Sequence, residues 1–453
     1  MDVRSTKNGF SLKNLSENVL CFYALAYPLV AQLFMDGTGA GTLVVQLFQV
    51  LPILALAYLW RFRRKARGIR SYIDVWTVSL VYFTGASVYF ALFYAPENQF
   101  SEIVYSARFL SWFWLAAVLR RVEFGPIFWE RLAKSFWLGA TSQCAIAIWG
   151  VVWGLRRAVA STYSTVEATT GSANVSGKTV VAFVVLGIAL SAYWFLVKRR
   201  FKIVCAASGI AGLVVVLCSY NRASQLGLAV AYCCVLLACA RKKRFKAAIA
   251  LLGILLAFGT FIASGYGNRF TARWEMVVSD QGSGRIEMIE IAGRTLANPP
   301  SVGVFWFGRG VFQTHEMMSE EIGSRIGMHN DALDFAIAYG IVGAGLYVWA
   351  ICTVLSFSKF VPKYAIEKYF AGAAAVFVVL TGLFTGMFQA TYVYFMLISA
   401  QYYWLSQARV KQSLWMQRHW ASSGASWELA EEYEEYVDGA EEEEGDAETE
   451  NAV

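Results

Sequence analysis

Charged residues are scarce: Asp, Glu, Lys and Arg make up 16% of the 453 residues, where a soluble domain carries roughly 25%. Histidine occurs three times and proline seven. No glycine-rich phosphate loop ending in Lys-Ser or Lys-Thr, no His-Glu-x-x-His and no acidic calcium loop is present, so nucleotide hydrolysis and zinc proteolysis have no support. What fills the space is apolar, with 57% hydrophobic and 16% aromatic residues. Runs of about 17–22 apolar residues recur from Asn18 to Trp404, each long enough to cross a hydrocarbon core about 30 Å thick at 1.5 Å per residue. A soluble enzyme and a single anchored domain are both excluded.

The net charge of +7 hides an asymmetry. After residue 420 there are 13 acids and no Lys or Arg, so residues 1–420 alone carry +20. Such a balance often signals nucleic acid, but these cations sit in short clusters between apolar runs, where they set membrane orientation; no nucleic-acid partner is expected. All eight cysteines (Cys21, Cys144, Cys205, Cys218, Cys233, Cys234, Cys239 and Cys352) fall inside apolar runs, so neither a disulfide framework nor a zinc site is readable. Residues 1–16 lack the short apolar core and small-residue cleavage site of a leader, and the first helix is expected to start insertion itself.

The apolar runs predict an all-α polytopic membrane protein of about twelve crossings, near 18–35, 40–60, 73–94, 103–119, 135–155, 179–197, 203–219, 223–240, 247–264, 332–357, 370–386 and 388–405. The basic clusters Arg61 to Lys65, Arg120-Arg121 with Arg131 and Lys134, Lys198 to Arg200, Arg241 to Arg244, Lys359 to Lys368, and Arg409 with Lys411 all fall on one side. By the positive-inside rule that side is the cytoplasm, and both termini share it. The expected division is a cytoplasmic N-terminus (1–17), nine crossings (18–264), a periplasmic loop (265–331), three crossings (332–405) and an acidic cytoplasmic tail (406–453). Too few apolar residues remain to order the tail beyond about 437.

The loop is long enough to carry function, with seven acids, six arginines and no lysine over residues 265–330. Within it Ser283-Gly284-Arg285 opens a helical pattern, Ile286, Ile289, Ala292, Gly293 and Leu296, which Asn298-Pro299-Pro300 stops. A short amphipathic helix capped by Ser283 is the expectation.

Four basic positions and one histidine invite a chemical reading. Arg222 sits in a tight hairpin between two apolar runs, on the face where cations are unusual; it either snorkels to headgroups or faces a cavity on a substrate path. Arg285, in the first turn of its helix, lies where free N–H groups and the positive macrodipole attract an anion such as phosphate, unless Glu287 or Asp280 satisfies it. Arg108 lies within the fourth crossing and either pairs with Glu102 or faces the same cavity. His329 precedes Asn330, a good cap for the helix from Asp331. It is either a structural residue at a helix mouth or a general base beside the arginines, with Asp331 and Asp334 as rival bases. Arg309 is flanked by Gly308 and Gly310.

Three pieces together resemble the O-antigen ligase and polymerase family, polytopic glycosyltransferases of the bacterial inner membrane. They are Ser219-Tyr220-Asn221-Arg222-Ala223-Ser224; Ser283-Gly284-Arg285 followed by Asn298-Pro299 and Phe307-Gly308-Arg309-Gly310; and His329-Asn330-Asp331-Ala332-Leu333 with Tyr339-Gly340-Ile341-Val342-Gly343. The likeness spans about residues 174–357. Asn221 stands where the family usually has serine, and Met288 near where a tryptophan is common.

The resemblance implies a GT-C-like membrane fold and transfer of a glycan from undecaprenyl diphosphate to an acceptor hydroxyl on the periplasmic side, with no ATP, metal or cofactor. Arg222 and Arg285 would hold and neutralise the diphosphate, and His329 would orient or deprotonate the acceptor; Asn330 and Arg309 are expected beside them in the substrate site, as is Arg108 on its position in the fourth crossing. A lipid A core acceptor would make a ligase and a second lipid-linked repeat a polymerase, toward which the reading leans; membrane lipids surround either. The rival from another class is a twelve-helix secondary transporter, which should place its binding groups near the midplane in broken helices. Here they gather in one loop and at one surface.

Overall fold

The computed structural model describes residues 12–33, 48, 51–62, 74–93, 98–152, 177–218, 223–230, 285–323, 328–363, 365–386 and 391–423. Among the described residues the regular structure is all helical, as the apolar runs predict. The helices are α1 (Leu12–Leu33), α2 (Leu51–Phe62), α3 (Val75–Phe93), α4 (Gln99–Arg121), α5 (Pro126–Val152), α6 (Gly177–Tyr193), α7 (Lys202–Cys218) and α8 (223–230). Then come α9 (Arg285–Ala297), α10 (Val302–Phe307), α11 (Val311–Ile322), α12 (Asp331–Ser356), α13 (Glu367–Thr385) and α14 (Thr391–Ser423).

Among the described residues four helices are long and apolar enough to cross a membrane: α3, α6 with the π turn that extends it (Val180–Lys198), α12 with the turn beyond it (Asp331–Phe360), and α13 (Glu367–Phe384). The expected crossing at 247–264 and the Arg222 hairpin tip lie outside the described residues.

The burial pattern follows from composition. A helix that is apolar all round is buried all round, and α6, which reads Val180-Val181-Ala182-Phe183-Val184-Val185-Leu186, has every one of these side chains buried. The other central element is α14, whose Tyr392, Tyr394, Phe395, Tyr403 and Trp404 are all buried. Tyr394 stacks on Trp112 of α4 at 4.4 Å, and Tyr392 packs on Phe183 of α6 at 4.6 Å. The helix continues to Ser423, well past the expected end at 405, with Gln407 and Ala408 still buried against the bundle.

Many of the cations gather at one end of this bundle. Glu130 at the start of α5 pairs with Lys134 (2.8 Å) and with Arg200 after α6 (3.6 Å). Arg121 at the end of α4 pairs with Asp74 before α3 (3.0 Å), and Arg131 with Glu17 of α1 (3.2 Å). Buried Glu367 accepts from Tyr193 Oη at 2.7 Å and from Lys411 Nζ.

The expectation of one continuous crossing over 332–357 needs correction. Helix α12 is two helices joined at Gly340, where φ is 68° and ψ −173°. In an unbroken helix Phe335 and Tyr347 would be about 18 Å apart along the axis. Their rings instead stack at 4.4 Å, and Tyr347 Oη donates to Asp331 Oδ2 at 3.2 Å. The first nine residues therefore fold back on the second half. Residues 341–360, about 30 Å of helix, are long enough to span the hydrocarbon without them.

A break of this kind strands carbonyls, which must find other donors. Those of Ile337, Ala338 and Tyr339 receive Arg309 N at 3.4 Å, Gly310 N at 2.9 Å and Tyr82 Oη at 2.8 Å. The loop containing Arg309 thus replaces the missing helical bonds. Only glycines allow so close an approach: a β-carbon at Gly308 would run into the Ala338 carbonyl, and one at Gly340 into the Trp306 carbonyl.

The candidate site around Arg309 and His329

The loop helix expected from Ser283-Gly284-Arg285 forms, beginning at Arg285 and ending at Ala297 before Asn298-Pro299. Its apolar face does not join the main core. Met288, Ile291 and Ala292 pack with Met318 of α11, Met328, and Ile337 of α12 in a separate small cluster. Met288, near where the family commonly has a tryptophan, is a buried member of it.

This cluster brings three candidate positions together through their neighbours. Arg285 opens the helix that carries Met288. Met328 directly precedes His329, and the carbonyl of Ile337 accepts from Arg309 N. Of Arg285 only the backbone is described, and the same is true of Arg108 on α4.

His329 is half-buried and held in the left-handed region, φ 53°. That conformation costs a non-glycine residue about 1–2 kcal/mol. Contacts on both sides hold it there. Met328 N donates to Asp334 Oδ1 at 2.8 Å. Asn330 caps α12 by accepting from Leu333 N (3.1 Å), and its Nδ2 donates to the Leu383 carbonyl of α13 (2.9 Å). Gly386, at the end of α13, lies flat against the His329 main chain.

The two rival bases are both buried. Asp331, 0% exposed, accepts from Tyr347 Oη and from Tyr394 Oη at 3.0 Å. Asp334 is 3% exposed and holds Met328 N. Of the three, the imidazole is the group most open to an incoming hydroxyl. Through Tyr347 the Asp331 carboxylate ties the segment after His329 to the second half of α12.

Arg309 is fixed by backbone rather than side chain. Gly308 and Gly310 have φ of 82° and 94°, conformations open to glycine. The guanidinium is half-buried and its Nε is buried without a hydrogen-bond partner among the described residues. Burial pushes the guanidinium below its usual range, with Glu320 opposing the shift. A buried cation of this kind gains from an anionic partner.

Glu102, considered as a partner for Arg108, has a role that sequence reasoning missed. Its carboxylate, 0% exposed, accepts from Val311 N (3.0 Å), Phe312 N (2.8 Å) and Ser106 Oγ (2.9 Å). It caps α11 from across the bundle and pins the Arg309 loop to α4. The requirement shows in sequence only as Gly310, where a β-carbon would lie 2.9 Å from Glu102 Oε1.

No curated protein matches the chain. Residues 207–348, the stretch that contains Arg222, Arg285, Arg309 and His329, match the O-antigen ligase family, the same family that the three motifs resemble.

Proposed function

We propose that this protein is a multi-pass membrane glycosyltransferase of polysaccharide assembly, which transfers a glycan from a polyprenyl diphosphate to an acceptor hydroxyl outside the cytoplasm. The observation that carries the reading is the small Met288–Met328–Ile337 cluster, which ties the Arg285 helix, the Arg309 loop and the His329 segment to one another. The match to the O-antigen ligase family supports the reaction class.

In this reading the arginines neutralise the departing diphosphate, where charge develops as the anomeric C–O bond breaks. His329 takes the proton of the acceptor hydroxyl as its oxygen bonds to the anomeric carbon. The lipid diphosphate leaves with the electron pair of the broken bond. Arg222 and Arg285 are the primary phosphate ligands, with Arg309 and Arg108 beside them, and Asn330 fixes the turn that presents the imidazole. Undecaprenyl diphosphate in a bacterial inner membrane is the donor carrier, and both termini face the cytoplasm.

The acceptor is a second lipid-linked repeat in a polymerase or a lipid A core in a ligase. The test is the lipid-linked glycan profile of cells lacking the protein. Accumulated single repeats indicate polymerase, long unligated chains indicate ligase, and an unchanged profile overturns the assignment. A transporter would instead leave the glycans intact on the wrong side of the membrane.

A further inference from the structure

Helix α10 is unusual for a segment within a connecting loop. Val302-Gly303-Val304-Phe305-Trp306-Phe307 has no charged or hydrogen-bonding side chain except the indole of Trp306, and none of its residues is buried. Val302 is 75% exposed, Phe307 53% and Trp306 47%. A compact apolar face left open to water is costly and marks a contact surface.

What covers it follows from where it sits. The backbone of Trp306 and Phe307 lies against Gly340, and that of Gly308 against Ala338 and Tyr339. Gly340 is the break in α12, and the 20 residues from Ile341 to Phe360, next to Lys359, make about 30 Å of helix, the thickness of the hydrocarbon core. The break, and α10 with it, therefore lies at the edge of the bilayer farther from Lys359. An uncharged helix with Trp and Phe on its open face, between capping Ser301 and Arg309, has the chemistry of the membrane interface, where indole rings gather and cations meet phosphate.

We infer that α10 is seated in the membrane, its Val302, Trp306 and Phe307 side chains among phospholipid acyl chains and Arg309 at the level of the headgroup phosphates. The segment is a membrane-contacting element and not a water-exposed part of the loop. This conclusion is independent of the transfer reaction, because it rests on the bilayer alone.

The test is photo-crosslinking of the full-length protein in phosphatidylethanolamine and phosphatidylglycerol liposomes. p-Benzoylphenylalanine is placed singly at Val302, Trp306 or Phe307. Val348, 51% exposed on the crossing half of α12, is the lipid-facing reference, and Arg294, exposed on α9, the water-facing one. Intact mass after irradiation is expected to show phospholipid adducts at 302, 306, 307 and 348 and none at 294. Absence of lipid adducts at 302, 306 and 307 while 348 is labelled, or adducts there to a second protein chain only, would overturn the inference. The variant at 302 keeps the test valid should changes at 306 or 307 impair folding, since Val302 is the most exposed of the three.

Discussion

Gly386 and His329 meet main chain to main chain: a β-carbon at 386 would lie 3.1 Å from His329 Cα and 3.2 Å from its carbonyl carbon. The contact joins the end of α13 to the turn before α12. It makes the position of the imidazole depend on a residue 57 places away in sequence.

Gly386→Ala should therefore lower turnover more than it lowers expression. Alanine is strained at φ 66°, and its methyl displaces the His329 backbone by a few tenths of an ångström. Small displacements of a reacting group can reduce rate up to about 100-fold. A loss of about tenfold or more in turnover, with donor half-saturation little changed, is expected in detergent-purified protein. Gly345→Ala, where a β-carbon meets nothing within 4 Å, should leave the rate unchanged.

The pH dependence separates the imidazole from its acidic neighbours. A general base works deprotonated, so transfer should fall as pH drops and the base takes up a proton. In His329→Gln that limb should disappear and leave a low, flat residual rate. Asp331→Asn should keep the limb, because the carboxylate is buried and held by Tyr347 and Tyr394. A profile in which Asp331→Asn abolishes the limb and His329→Gln keeps it would reverse the roles.

Glu102 anchors the Arg309 loop through the Val311 and Phe312 amides, with Ser106 of its own helix donating to the same carboxylate. Hydrogen bonds to a charged group contribute about 1.5–3 kcal/mol each, so Glu102→Ala should loosen α11 measurably. Limited proteolysis is the readout, with faster cleavage expected between residues 308 and 323. Glu102→Gln should be intermediate, since its carbonyl oxygen still accepts while its amide opposes one N–H.

Arg309→Ala should raise the donor concentration for half-saturation by about 10–100-fold, the effect of losing one charge-assisted hydrogen bond of about 1.5–3 kcal/mol. Arg309→Lys should recover only part of this, because an ammonium lacks the planar fork that grips two phosphate oxygens. Arg222→Lys should be impaired for the same reason. Equal activity of the lysine variants would indicate interfacial anchors instead.

The helical architecture was readable because hydrocarbon thickness imposes a length on apolar runs, and α3, α6, α12 and α13 show it. Helix α9 was readable because Arg285 begins a periodic stretch that Pro299 ends. The fold-back of α12 was not, since Phe335-Ala336-Ile337-Ala338-Tyr339-Gly340 is as apolar as the crossing that follows. Gly340 was visible as a motif residue, but its φ of 68° depends on Trp306 lying against it. The capping role of Glu102 was not legible because local charge counting looks for cations, whereas this carboxylate accepts from amides more than 200 residues away. Helices α10 and α11 escaped notice because six and twelve residues are too few for a periodic signal to stand out.

The central claim is that the arginines hold the lipid diphosphate while His329 serves the acceptor, and single-turnover transfer titrated with lipid-linked donor tests it most directly. Arg285→Ala and Arg309→Ala should shift the half-saturation point upward, and His329→Ala should leave that point in place and collapse the plateau rate. A plateau unaffected by the loss of the imidazole, or a half-saturation point that neither arginine substitution moves, would contradict the account.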